Sequence, residues 1–419
     1  MKKASLLLVL ASCVMNLAAQ ELSSYERKAQ KRFEKLDYVR TIEKLNGIDD
    51  LSVYGKRMLA SSYRLTHKMR EAEVVYGQLV LSDEKKAEDI YYYSFVLREN
   101  EKYLESDKWM NVFKEEASSD LRVKQFEKGK NKFVDLIEDQ GQFVVTNLSV
   151  NTKDEDFGTT YYKDKIVFAS SRESVKIVKR KWNGNHMSFL DLYMGDMEGV
   201  EIKNVEIFSK KTNNKYHEGP ADFAKAGQFM AFTRSNYEGQ SADGEINFKI
   251  FFSEDIDGTW SKPESFYLND KDYSIGHPSL TEDGNTMFFA SNMPGGFGGV
   301  DIYKVTRVDG GEWGKAINLG DEINTEGNEM FPFYHEGEQK LFFSSDGQYG
   351  LGGLDVFVSP SDNGEFKLIK NLGFPINSSR DDFSFTIDQE MSTGYLSSNR
   401  EGGKGDDDLY SFVMNKPSV

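Results

Sequence analysis

The stretch Met287-Phe288-Phe289-Ala290-Ser291-Asn292, followed by Gly295-Gly296-Phe297-Gly298-Gly299-Val300-Asp301-Ile302-Tyr303, decides the fold of this chain. Its first part is a short apolar run, aromatic and too brief for a helix, which reads as a buried strand. The glycines then supply positions for left-handed backbone and lead into a second aromatic strand, so the two form a hairpin. They do not read as a nucleotide cradle, because the run opens a strand and not a helix N-terminus. Variants of the first strand recur at Ile166–Ser171, Phe229–Ser235, Leu341–Asp346 and Gly394–Asn399. Their equivalent residues Phe168, Phe232, Phe289, Phe343 and Leu396 are 64, 57, 54 and 53 residues apart, the spacing of four-stranded propeller blades.

Working outward, a turn such as Thr281–Asn285 or Tyr334–Glu338 opens each unit, and a fourth strand follows at Trp260 to Leu268, Trp313 to Gly320 and Phe366 to Gly373. The last unit, ending near Asp408–Phe412, has no fourth strand of its own. Phe143–Thr152 matches Ala316–Thr325 and stands before the first unit. A five-bladed propeller is therefore expected, closed when strand 143–150 becomes the outer strand of the last blade and removes the exposed edges.

At 419 residues the chain is long enough for two domains, and its composition divides sharply. Residues 21–140 hold 4 of the 36 Gly and none of the 8 Pro, as helices require. They carry 23 basic and 24 acidic residues, against 27 and 44 in 141–419. This predicts an α+β multidomain protein with an all-α domain over 21–140 and an all-β propeller over 141–419. In the first, Leu59, Tyr63, Val74, Val75 and Leu79 follow helical spacing. Turns near Leu36, His67 and Glu101 are followed by small residues Thr41, Ala72 and Ser106, spaced 31 and 34 apart. This resembles three tetratricopeptide repeats. Ala60, Tyr63, Ala72 and Tyr76 match best, while the first and third repeats depart at the final small residue and lack the terminal proline. An ordinary helical bundle has the same periodicity, but only repeats imply a concave partner groove.

Lys2 and Lys3 precede an apolar run from Ala4 to Val14 and small residues at Ala18 and Ala19, the pattern of a secretory signal peptide over 1–20. Leu10-Ala11-Ser12-Cys13 also resembles a lipobox, so lipidation at Cys13 is an alternative to simple cleavage. Export to the periplasm or the outer-membrane periphery of a Gram-negative cell is the expectation. The single cysteine excludes a disulfide framework. A net charge of -16 argues against a nucleic-acid partner.

The strand ending Phe-Phe-Ala-Ser-Asn with its Gly-Gly-x-Gly-Gly-x-Asp-Ile-Tyr hairpin resembles the PD40 (TolB-like, WD40-related) repeat. Together with the leader and helical repeats, the chain is similar to the PorE-type periplasmic proteins of the Bacteroidota type IX secretion and gliding machinery. The resemblance is strong in repeats three to five and weak in the first two, where insertions such as Val175 to Met187 replace the hairpin. It implies a non-enzymatic scaffold in an outer-membrane-associated secretion or gliding complex. Those relatives continue into a peptidoglycan-binding OmpA domain that this sequence does not include, so peptidoglycan binding by this chain alone is not expected.

No catalytic, cofactor-binding or metal-binding constellation is expected. There is no Gly-x-Ser-x-Gly elbow, and His67, His186, His217, His277 and His335 are scattered. Five-bladed propellers include glycosidases with inward carboxylates, so a secreted carbohydrate-active enzyme or glycan-binding protein is the competing class. The hairpin aspartates Asp301, Asp355 and Asp408 read as turn caps, and Asp406-Asp407-Asp408 as a solvated acidic turn without the spaced ligands of a calcium loop. Residues 272–419 hold 10 basic and 24 acidic residues, a negative sector suited either to solubility or to a basic protein partner. Aligned on their second strands, the blades start their inner strands at Phe157, Pro220, Pro278, Pro332 and Ser384. Asp156, Glu218, His277, Glu329 and Asp381 with Asp382 then fall near the mouth of the central channel. A hydrated rim and a site for a cation or a basic side chain both fit that ring.

Overall fold

The computed structural model describes residues 22–172, 189–213, 216–235, 239–241, 246–308 and 311–415. The leader 1–20 with Cys13, and the insertion Val175 to Met187, lie outside the described residues. Eight α-helices come first: α1 (Ser24–Phe33), α2 (Tyr38–Leu45), α3 (Val53–Arg64), α4 (Met69–Leu79), α5 (Ala87–Glu99), α6 (Tyr103–Glu116), α7 (Leu121–Gly129) and α8 (Phe133–Ile137). Helix α1 packs on α2, α3 on α4 and α5 on α6, giving three consecutive hairpins. Each reverses at a left-handed residue, Leu36, His67 or Glu101, with φ of 55°, 53° and 61°, a conformation that ends a helix. Thr41, Ala72 and Ser106 are 0, 0 and 1% exposed, so small side chains let the paired backbones close up. Glu26 joins the first two hairpins, because its carboxylate accepts from the N–H groups of Ser23 and Ser52, the N-caps of α1 and α3, at 2.8 Å each. Among the described residues no helix is long and apolar enough to cross a membrane.

Strands begin at Phe143, and five antiparallel sheets follow. Blade one is Asp156–Tyr162, Lys165–Ser170, Asp191–Glu198 and Glu201–Ile207; blade two is Glu218–Ala224, Phe229–Ser235, Phe248–Ile256 and Glu264–Ser265. Blade three is Ile275–Leu280, Thr286–Ser291, Asp301–Val308 and Ile317–Asn318; blade four is Glu329–His335, Lys340–Ser345, Asp355–Asp362 and Lys370–Asn371. Blade five is Asp382–Ile387, Thr393–Ser398, Asp408–Met414 and, as its outer strand, Phe143–Asn147. The expected closure is present, with Phe143 opposite Met414 and Asn147 opposite Tyr410. The Phe143 ring also meets the edge of Phe412 at 5.6 Å. First strands neighbour one another all the way round, which makes the sheets a ring. The repeated second-strand residues fill the space between blades: Phe168, Phe232, Phe289 and Leu396 are 0% exposed and Phe343 1%.

Two details differ from the sequence reading. The fourth strands of blades two to four are each two short pieces, for example Thr259–Trp260 and Glu264–Ser265. In blade two Pro263 stands in the break and has no N–H for a ladder. The residues aligned as inner-strand starts also lie inside strands that begin earlier, at Asp156, Glu218, Ile275, Glu329 and Asp382. They sit at a β-bulge present in every blade. In blades one, three, four and five its left-handed residue is Gly158, His277, Phe331 and Ser384, with φ of 74°, 51°, 51° and 51°. Pro278 and Pro332 follow directly, tolerated because the innermost strand is a sheet edge.

One asparagine per blade ties the third strand to the linker entering the next blade. Asn151, Asn213, Asn269, Asn324 and Asn377 accept through Oδ1 from the N–H of Leu409, Leu192, Ile250, Ile302 and Val356 at 2.7–3.0 Å. Nδ2 of each donates to the carbonyl of the same residue at 2.7–3.1 Å. The side chain thus takes the place of a strand neighbour. Beside it, Asp301, Asp355 and Asp408 accept from paired hairpin amides, Phe297 and Gly298, Leu351 and Gly352, Lys404 and Gly405. They also accept from Asn318, Asn371 and Asn147, so all three act as turn caps.

Deleting residues 143–148 should lower the unfolding temperature while leaving the transition cooperative; a melting curve identical to that of the intact chain would refute closure by this strand. Asn324→Ala leaves the buried Ile302 N–H without its partner and removes one of two donors from the Ile302 carbonyl, which keeps the Leu319 N–H at 3.1 Å, and should cost about 1–3 kcal/mol in urea unfolding. A loss within about 0.5 kcal/mol, the range of an ordinary surface change, would show that the clasp contributes nothing.

Candidate functional site

Asp156, Glu218, Glu329 and Asp382 open the inner strands of blades one, two, four and five. The blade-three equivalent is Ile275, opposite Ser291 as Glu329 is opposite Ser345. The expected placement of His277 in this set is therefore corrected: it lies two residues further on, in the bulge. The four carboxylates are each 0% exposed and do not form a hydrated rim. Asp156 accepts from the Thr152 N–H at 2.7 Å, Thr152 Oγ1 at 2.8 Å, Ser170 Oγ at 2.5 Å and Arg172 Nη2 at 2.7 Å. Asp382 repeats this with the Ser378 N–H and hydroxyl and with Arg400. Glu218 pairs with Arg234 Nε at 3.0 Å. Glu329 accepts from the Thr325 N–H at 2.9 Å, Thr325 Oγ1 at 2.8 Å and Ser345 Oγ at 2.7 Å, but Gly347 stands where its sister blades place Arg172 and Arg400. Burial, opposed only by those hydrogen bonds, pushes Glu329 up to about 8.

These groups are braces within their own blades, tying the start of the inner strand to the second strand and, in blades one, four and five, to the entering linker. The signal available in the sequence was an arginine two residues beyond the second-strand serine, in Ser170-Ser171-Arg172 and Ser398-Asn399-Arg400. The propeller axis itself is plugged by rings. Phe331 stacks on His277 at 3.9 Å, and lies 4.8 Å from Phe383 and 6.4 Å from Phe157. The Phe331 N–H is 3.4 Å from His277 Nδ1, and burial lowers this imidazole to about 4. Below the plug a cavity of about 30 Å³ is lined by Thr160, Asp222, Ser279 and Thr386. Asp222, which the sequence reading missed, accepts from Thr160 Oγ1 at 2.9 Å and from the Leu280 N–H at 2.7 Å. Burial raises it to about 6. Among the described residues no three His, Cys, Asp or Glu side chains converge as metal ligands.

The opposite end of the inner strands is ringed by the residues one place before them. The N–H groups of Glu155, His217, Ser274, Asn328 and Asp381 donate to the side chains of Ser171, Ser235, Asn292, Asp346 and Asn399 at 2.7–3.2 Å. The helical hairpins dock on this end at blades four and five. Tyr91 donates to the Asp346 carbonyl at 2.9 Å, and the Arg98 guanidinium covers the Tyr349 ring at 4.3 Å. Gly129 is required there, since a Cβ would lie 2.4 Å from Tyr349. Lys124 reaches Asp321 and Glu322 at 3.1 Å, and Lys128 reaches Glu322 at 2.8 Å. Part of the acidic sector thus faces basic residues of this same chain, and the blade-four hairpin occupies the groove between α5, α6 and α7.

Glu329 gives a pH test. Its pKa is raised on folding, so its contribution to stability is complete below the ordinary carboxylate value of 4.5 and is lost as pH rises toward about 8. Glu329→Gln should match the parent near pH 4 and be the more stable of the two near pH 8.5. The gain expected there is a few kcal/mol, because each tenfold change in proton affinity is worth about 1.4 kcal/mol. A stability difference independent of pH would refute this.

No family model matches the chain, and no curated protein matches it. Among solved structures, a putative TolB from Agrobacterium tumefaciens is 11% identical, with a TM-score of 0.40 over 66% of this chain and 98% of that one. The RS223 beta-xylosidase is 13% identical with a TM-score of 0.40, covering 66% and 96%. An endo-arabinase from Bacteroides thetaiotaomicron is 12% identical with a TM-score of 0.40, covering 65% and 97%. At these levels the likeness concerns the propeller architecture alone. The chain is a helical domain joined to a five-bladed β-propeller.

Proposed function

We propose that this protein is a non-catalytic interaction scaffold, exported to the periplasm, whose helical hairpins and propeller together present binding surfaces to protein partners. The observation that carries this reading is the fate of the inner-strand carboxylates: Asp156, Glu218, Glu329 and Asp382 are fully buried and spent on internal partners. A glycosidase needs two carboxyl groups flanking one scissile bond. Among the described residues Asp222 is the one carboxyl group lining the axial cavity, under a plug of aromatic rings. The three left-handed hairpin turns and the buried Thr41, Ala72 and Ser106 favour tetratricopeptide-type repeats as the partner-binding element. Membership of an outer-membrane-associated secretion or gliding complex of the type IX kind rests on the resemblance of leader, helices and PD40-type repeats. The acidic carboxylates of blades three to five that the helices leave uncovered suit a basic partner.

Purified protein should show no turnover of arabino- or xylo-oligosaccharides and should co-purify with envelope proteins. Its partner affinity should fall as salt rises through the screening range. Turnover abolished by Asp222→Asn would replace the scaffold reading with the enzymatic one.

A further inference from the structure

The interface between helices and propeller contains a carboxyl group with no evident structural duty. Glu99, at the end of α5, is 2% exposed, and its Oε1 has no hydrogen-bond partner. Its other oxygen is 3.7 Å from Arg380 Nη1. Across the interface Asp381 accepts through Oδ1 from the Leu354 N–H at 2.8 Å and through Oδ2 from Asn399 Nδ2 at 3.0 Å. The two carboxyl groups meet over Gly353. A Cβ on that glycine would lie 2.1 Å from Asp381 Oδ1 and 2.5 Å from Glu99 Oε1, so those oxygens can be no more than about 4.6 Å apart. Two ionised carboxylates this close repel, because Glu99 is buried even though Asp381 keeps 18% of its side chain exposed, and a proton on Glu99 removes the repulsion. A cation is disfavoured as the bridge because Arg380 already stands beside Glu99 and the Leu354 N–H points at Asp381.

We propose that Glu99 holds a proton where it faces Asp381 across the interface, forming a latch that makes docking of the helical hairpins on the propeller pH-sensitive. Facing Glu99 are Arg380, Asp381 and Asp382 from blade five, Arg64 from α3 and Tyr103 from α6. His67, in the turn between α3 and α4, faces Asp381 at 3.5 Å. Burial, reinforced by Asp381 and opposed by Arg380 and Arg64, holds Glu99 well above the ordinary carboxylate range. Docking is therefore complete at low pH and weakens as pH rises through that raised value.

Hydrogen exchange of the full chain, comparing wild type with Glu99→Gln at each pH so that intrinsic exchange cancels, reads the latch directly. Amides of 87–99 and 346–354 should exchange equally in the two proteins at pH 4.5, and several-fold faster in wild type at pH 8.5. Asp381→Asn, which removes the repelling charge and keeps an acceptor for the Leu354 N–H, should resemble Glu99→Gln. Equal exchange in all three proteins at pH 8.5 would overturn the latch. Protection of wild type restored at pH 8.5 by calcium alone would overturn it too, by assigning a cation to the pair.

Discussion

The structure depends on a side chain that behaves as backbone. In each blade a single asparagine gives and takes one hydrogen bond with the same third-strand residue, as a neighbouring strand would. The linker that leaves one blade and enters the next is irregular and runs through the interior, where an unpaired peptide group is costly. The clasp satisfies the outward N–H and carbonyl of the third strand and pins the linker there, and so fixes where the next inner strand begins. The four buried carboxylates act five residues later, each gripping the start of that inner strand. Thr152, Thr325 and Ser378, directly after their asparagines, connect the two devices.

This explains why acidic residues recur near the axis without forming a site. A carboxylate at the start of an inner strand can meet the second-strand serine, the linker hydroxyl and an arginine together, and those bonds offset the cost of burying its charge. Blade three does without the brace and places Ile275 there. Blade four keeps the carboxylate but lacks the arginine, and Glu329 is accordingly driven toward its neutral form. Blades one and five thus share one solution to this packing problem, and blades two, three and four reach it with other balances of charge and apolar contact.

The helical hairpins and the propeller are joined through aromatic and charged contacts that use the blade-four hairpin as a key. Tyr349 fits beneath Arg98 and against Phe126, in space left by Gly129. The equivalent hairpin of blade three leaves Phe297 43% exposed, so the same glycine-rich motif can be buried or displayed. The choice is set by what lies above it. The acidity of blades three to five likewise divides between an internal share, met by Lys124 and Lys128, and a share open to solvent.

Repetition was legible in the sequence because it survives in short segments. The second-strand aromatics, the hairpin glycines and aspartates, and the displaced strand at Phe143 each depend on neighbours within a few residues or on a fixed period. Together they were enough for five blades and their closure. The turns at Leu36, His67 and Glu101 were legible for the same reason. The inner-strand bulge, with prolines inside the strand, was not, because proline reads locally as a strand boundary and only the empty inner edge of the ring makes it tolerable. Nor could the sequence show that Asp156 and Asp382 turn toward Arg172 and Arg400, that Asp222 lines the axis, or that Glu99 meets Asp381 across Gly353. Those outcomes depend on distances between residues far apart in the chain, which only the closed ring and the docked helices define.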